Sequence, residues 1–152
     1  MINEIYCINI RKRPDRLKRF KETTAEKITS ELGMQVNYTT YWDKNLDRED
    51  ITSEWLKENG ISVYGGWKLE GKQYFETAEW GWWSRNIMKG EIGCAISHKE
   101  VWKRAKGTTL VLEDDVKFTR NWLVKLYNAI DTLEIIDKEW DLLYLGREPQ
   151  LY

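Results

Sequence analysis

Three consecutive carboxylates, Glu113, Asp114 and Asp115, follow directly on the apolar run T-T-L-V-L (Thr108–Leu112). Adjacent like charges repel, so a chain that sets them at the end of a core strand must offset them with solvent, basic partners or a cation. Mg2+ and Mn2+ take one or two carboxylates and complete their shells with water and substrate phosphates, which makes the triplet a candidate cation site. An exposed acidic turn is the plainer reading of three such residues in isolation. Position favours chemistry, because ligands of open α/β sheets collect beyond the carboxyl ends of the strands. Two further predicted strand ends carry polar groups: Asn9 with the Arg11–Arg16 loop, and Asp43. The stretch R-K-R-P-D-R-L-K-R-F-K (Arg11–Lys21) is densely basic, which suits either phosphate or a solvated helix face. His98 is the only histidine of the chain. On its predicted helix it stands two positions after inward Ile96, where it can line a site or serve as a hydrogen-bonded structural residue.

The elements that must position these groups alternate along the chain. I-N-E-I-Y-C-I-N-I (Ile2–Ile10) predicts a strand covered on both faces. Pro14 suits a first helical turn, and Leu17, Phe20, Ala25, Ile28 and Leu32 keep helical spacing until Gly33. Val36–Trp42 predicts a second strand, and Asp47 a helix N-cap with Gly60 as the stop. Residues from about 61 to 89 form an irregular, aromatic-rich insert. A helix over Gly90–Lys106 is predicted to turn Ile92, Ala95, Ile96, Trp102 and Ala105 inward, with Gly107 as its stop. After the strand that ends at the triplet, a helix from about Asn121 to Ile136 directs Leu123, Leu126, Ile130 and Leu133 inward, and D-L-L-Y-L (Asp141–Leu145) reads as a last strand. Alternating strands and helices imply an α/β fold with a mainly parallel sheet.

With 152 residues, 41% hydrophobic and 32% charged, the sequence suits one compact domain, 1–152, rather than a disordered or fibrous chain. A formal net charge of -1 argues against general nucleic-acid binding. Cys7 and Cys94 form no C-x-x-C pair, so two reduced thiols are expected and a zinc or redox motif is not. No secretory signal and no apolar run of membrane-spanning length is found, so the expected location is the cytoplasm, at most peripheral to a membrane surface.

Four segments carry a resemblance. Y-C-I-N-I-R-K-R-P-D-R (Tyr6–Arg16), G-E-I-G-C-A-I-S-H (Gly90–His98) with Trp102 after it, L-E-D-D-V (Leu112–Val116) and W-D-L-L-Y-L-G (Trp140–Gly146) resemble, in order, the motifs of glycosyltransferase family 25. That family includes lipooligosaccharide and procollagen galactosyltransferases. The resemblance implies a GT-A, Rossmann-like fold, a UDP-sugar donor (commonly UDP-galactose), a Mn2+ or Mg2+ requirement, inversion at the anomeric carbon, and a saccharide or hydroxylated protein side chain as acceptor. Mapped onto this sequence, the acidic motif makes Glu113 and Asp115 the metal-ligand candidates. Asp114 and His98 become the candidates for a catalytic part, with His98 the one imidazole that could complete a metal's shell. The first-strand motif offers Asn9, Arg11, Arg13 and Arg16 to the nucleotide, and Asp43 could accept hydrogen bonds from uracil or ribose, or be a turn residue before a helix.

Glu91 is explained adequately as a cap of its helix. Trp42, Trp55, Trp102 and Trp122 fit core positions, whereas Trp80, Trp82 and Trp83 either stack on an acceptor sugar or pack the insert onto the domain. Family members continue beyond the last motif, so the expectation is either a C-terminally truncated catalytic domain or a minimal or degenerate version, which a second copy or a partner chain could complete. An inverting transfer needs a general base, and the sequence does not assign a residue to that role. Two other functions compete: a sugar- or nucleotide-binding module of the same fold without turnover, and a nucleotidyltransferase, which the lack of a Gly-rich phosphate loop disfavours.

Overall fold

A computed structural model describes residues 1–39, 51–63, 68–70 and 86–146. The first strand, β1 (Glu4–Ile8), is shorter than its apolar run. A turn closed by the Arg13 N–H donating to the Ile10 carbonyl (2.7 Å) leads into helix α1 (Pro14–Phe20), with Pro14 in the first turn as expected. The helix runs through a π-helical stretch, Lys21–Ala25, into α2 (Glu26–Leu32). The wider π turn buries two adjacent residues, Thr24 and Ala25, between the buried Phe20 and Ile28. Gly33, at φ 65°, ends the helix in the left-handed conformation that glycine adopts without steric cost.

Strand β2 (Asn37–Thr39) returns parallel to β1. Helix α3 (Ser53–Glu58) is capped by Thr52, whose hydroxyl accepts from the Trp55 N–H at 3.1 Å, rather than by Asp47, which lies outside the described residues. Two short strands, β3 (Lys68–Glu70) and β4 (Asn86–Met88), pair in parallel, so the insert is not wholly irregular. Three-residue strands are too short to show a period of two in sequence. Helix α4 (Lys89–Trp102) opens with the Glu91 carboxylate accepting from the Met88 N–H at 2.8 Å. Strand β5 (Thr109–Glu113) pairs in parallel with β1 along its whole length, giving the sheet order β2-β1-β5. Parallel neighbours need crossover connections, and helices supply them here.

Ile5, Cys7, Phe20, Ile28 and Val101 are among the most deeply buried side chains. A second apolar cluster joins α3 and α4 through Ile51, Leu56, Ile92 and Ile96, with Trp55, Leu69 and Ile87 packed against it. Two positions on α4 differ from expectation. Trp102 is half exposed and Ala95 exposed, while Ser97 and Val101 are buried. The inward stripe follows Ile92, Ile96 and Val101, so the tryptophan one residue further on turns outward.

By compactness the chain divides into Ile2–Val116 and a unit from Lys117 onward that includes Met1. In the latter, α5 (Trp122–Ile136) buries Trp122, Leu126 and Ile130, and Trp122 stacks on Phe118 at 3.9 Å between ring centroids. Asp141–Leu145 is not a strand, and Leu142, Tyr144 and Leu145 are exposed. An apolar run becomes a strand by pairing with a neighbour, and among the described residues none pairs with it. The architecture of the larger unit is the expected one: an open parallel sheet flanked by helices, in the Rossmann-like manner of GT-A folds.

Candidate active site

Burial alternates along β5 and past its end. Leu110, Leu112 and Asp114 are buried; Glu113 and Asp115 are exposed. The period of two that orients strand side chains thus divides the acidic triplet into one inward and two outward carboxylates. The backbone N–H of Asp114 donates to the Ile8 carbonyl at 3.1 Å, so the β1–β5 ladder continues into the triplet.

Asp114 is 4% exposed, and both of its oxygens have partners. The Asn9 side-chain amide donates to Oδ2 at 2.7 Å, and Arg16 Nη1 donates to Oδ1 at 3.3 Å. The same Arg16 nitrogen lies 3.0 Å from Asp115 Oδ2. A carboxylate this deep would be costly without charge-assisted partners, and β1 and α1 deliver both of them. The charge of Asp114 is felt in the core: burial first, and Asp114 second, push the Cys7 thiol up to about 12.

The exposed side of the triplet meets α4. Glu113 Oε1 lies 3.3 Å from His98 Nε2 and 3.6 Å from Cys94 Sγ. Hydrogen bonds to Cys94 and to Glu113 raise His98 to about 9 against the opposing effect of burial. The same imidazole holds Glu113 below the usual carboxylate range, with Arg16 contributing from a greater distance. Two cations, Arg16 and protonated His98, therefore offset the repulsion within the triplet.

The structure brings together Asn9, Arg16, Asp114 and Asp115 on one side and His98 with Glu113 on the other. Arg13 does not join them, because its guanidinium forks onto Asp15 at 3.0 and 2.8 Å, and that contact lowers Asp15 to about 2. Arg11 is exposed in the turn after β1, and Asp43 lies outside the described residues, as do Trp42, Trp80, Trp82 and Trp83. Cys94 was missed as a site residue. Its signal was the spacing C-A-I-S-H, which sets a thiol and an imidazole four residues apart on one helix face. A cleft of about 400 Å³ between α3 and β3, lined by Leu56, Lys57, Ile61 and Leu69, contains none of the residues gathered at the strand ends. It is shallower in chemistry than the strand ends, where titratable groups converge.

An α/β domain with its titratable groups gathered at the carboxyl ends of two parallel strands has them where the ligands of open α/β sheets collect. The comparisons narrow the class. The profile of glycosyltransferase family 25 (LPS biosynthesis protein) matches residues 2–147, and the chain belongs to that family. It is 30% identical over 150 residues to procollagen galactosyltransferase 2 of Homo sapiens, covering 96% of this chain and 21% of that protein. It is 30% identical over 153 residues to procollagen galactosyltransferase 1-B of Xenopus laevis, with the same coverage of both chains. The inactive glycosyltransferase 25 family member 3 of Homo sapiens is 29% identical over 150 residues, 96% of this chain and 22% of that protein. The chain thus spans about a fifth of the length of these relatives. No solved structure matches it. Among the described residues no helix is long and apolar enough to cross a membrane.

Proposed function

We propose that this chain is a sugar-transferring domain that moves galactose from UDP-galactose to a saccharide or hydroxylated side chain, with inversion and with Mn2+ or Mg2+. The observation that carries the reading is the convergence of Arg16, Asp114, Asp115 and Glu113 at the carboxyl ends of β1 and β5, in a chain of this family. The outward carboxylates fit a hard cation: Glu113 and Asp115 are 53% and 45% exposed, which leaves room for the water and phosphate oxygens such ions require. Glu113 and Asp115 would hold the ion, which as a Lewis acid would stabilise charge on the departing diphosphate.

The chain's own residues divide the remaining work. Arg16 meets both aspartates through Nη1, and its fork keeps further donors for phosphate oxygens. Asp114, buried and doubly bonded, acts by fixing Arg16 and Asn9 rather than by reaching a substrate. Arg11 and Arg13 are the nearer candidates for a solvent-facing part of the nucleotide, with Asp43 for uracil or ribose. His98 stands beside Glu113 and is placed to set the orientation of that carboxylate. Residues 1–152 are read as one catalytic domain with an insert at about 61–89, working in the cytoplasm or at a membrane surface on a growing saccharide, alone, as a homo-oligomer or with a partner chain.

The test is release of UDP from UDP-galactose with Mn2+ and a panel of acceptors. The expected result is metal-dependent release that Asp115→Ala abolishes. Full release by Asp115→Ala with Mn2+ present would remove that residue from the cation's shell. A second reading has one observation in its favour: an inactive family member is as similar to this chain as the galactosyltransferases are. Binding of UDP-galactose without any release would select a nucleotide-sugar-binding module in place of an enzyme.

A further inference from the structure

Apart from the aspartates and Arg16, three different donor types meet on one face of α4. Cys94 and His98 are one helical turn apart, so their side chains lie one above the other. Strand β5 ends with Glu113 beside them. Each of the three residues offers one donor atom, and these atoms all lie within 4.8 Å of one another. Two of the spacings are given by direct contacts, 3.3 Å between His98 Nε2 and Glu113 Oε1 and 3.6 Å between Cys94 Sγ and Glu113 Oε1.

Tetrahedral zinc, with Zn–N and Zn–O near ~2.1 Å and Zn–S near ~2.3 Å, holds an oxygen roughly 3.4 Å from a nitrogen and roughly 3.6 Å from a sulfur. The contacts in the structure have those lengths before any ion enters. We propose that Cys94, His98 and Glu113 form a site for a thiophilic divalent ion, Zn2+ in preference to Mn2+, with three protein ligands and a fourth position left for water or a ligand. The thiol decides the preference. Sulfur and imidazole donors suit zinc, whereas manganese and magnesium select oxygen. Access is open, because Cys94 is exposed and His98 half-buried. Asp115, paired with Arg16, is no part of this set.

The site shares Glu113 with the cation site proposed for sugar transfer and differs from it in the other ligands, and the variants separate the two. The whole chain is titrated with Co2+, a spectroscopic stand-in for zinc, and then with Zn2+. One equivalent of Co2+ is expected to give a sulfur-to-metal charge-transfer band that Zn2+ displaces. Cys94→Ser abolishes the band, and His98→Ala weakens Zn2+ binding by more than the roughly 10- to 100-fold that loss of an outer partner costs. Asp115→Ala leaves both intact. In parallel, one equivalent of Zn2+ shields Cys94 from iodoacetamide, and the same amount of Mn2+ does not. Both Cys94 and His98 lie outside the buried core, and circular dichroism of each variant confirms that the fold is kept. Absence of the band, undiminished Zn2+ binding by Cys94→Ser, or equal shielding by Mn2+ would each overturn the site and leave a thiol beside an ordinary ion pair. Loss of Zn2+ binding in Asp115→Ala with retention in Cys94→Ser would do so too, by placing the metal on the outward carboxylates alone.

Discussion

Asp114 and Glu113 are neighbours in sequence and opposites in environment. Asp114 faces the core side of β5, is almost fully buried, and has each oxygen held by a residue from the first sixteen of the chain. Glu113 faces outward, is half exposed, and meets α4 through a thiol and an imidazole. One peptide unit separates a closed, internally satisfied charge from an open one that can still take a ligand. The strand's pleat is the cause. The contrast shows that an acidic triplet does two jobs at once: its middle residue ties β5 to β1 and α1, and its outer residues present carboxylates at the edge that tie creates.

The largest effect expected from this division is on stability. Asp114→Ala removes the shorter of two hydrogen bonds of the buried Asn9 amide, leaving it the 3.4 Å one to the Arg13 carbonyl, and removes a charge partner of Arg16, so it should destabilise the chain by about 3 kcal/mol, the lower end of what breaking a buried pair costs. Asp115→Ala removes one exposed contact of the same arginine and should change urea unfolding little. Denaturation curves of the two variants decide the matter. Equal destabilisation would show that depth does not distinguish the members of the triplet.

Much of this was legible in the residues. The alternation of apolar strands and periodic helices implied a mainly parallel sheet, and the Leu110–Leu112–Asp114 alternation, taken one step further, indicates which carboxylate turns inward. What the chain could not announce was the identity of the counter-charges. Arg16 lies 98 positions from Asp114, and nothing in the basic stretch distinguishes it from Arg13, whose local aspartate captures it instead. Cys94 escaped notice because its spacing to His98 supplies only two donors on one helix face, and the third, Glu113, is brought alongside by β5. The D-L-L-Y-L run misled for the converse reason: its composition suits a strand, but pairing is supplied by neighbours and not by composition.

On the open side, the expected effect is a titration. His98, the only histidine, gives a single imidazole signal in NMR, and its midpoint should lie near 9 in the metal-free chain. Because the folded value exceeds the ordinary one of about 6.5, the stability this group contributes is fully present below the unfolded value. It is lost as pH rises through about 9. Glu113→Gln should move the midpoint down toward the ordinary value, leaving the part owed to Cys94. Asp114→Asn, acting on the other side of the strand, should move it much less. An equal shift in both variants would merge the two regions into one electrostatic unit.

The smallest effect sharpens the comparison at its exposed limit. Arg13 and Asp15 make a well-formed ion pair, a two-nitrogen fork at 3.0 and 2.8 Å, yet both side chains stand in solvent. Water competes for each partner and salt screens the attraction, so short distances there carry little free energy. Arg13→Ala should leave the urea midpoint unchanged within error, whereas Arg16→Ala, which uncovers buried Asp114 through a longer contact of 3.3 Å, should lower it clearly. If Arg13 meets the nucleotide as proposed, the same variant weakens UDP binding by roughly tenfold, the scale of one charge-assisted hydrogen bond. Calorimetry on a protein of unaltered stability then reads binding alone. A loss of stability in Arg13→Ala equal to that in Arg16→Ala would mean that contact length, and not burial, ranks the charges at this edge.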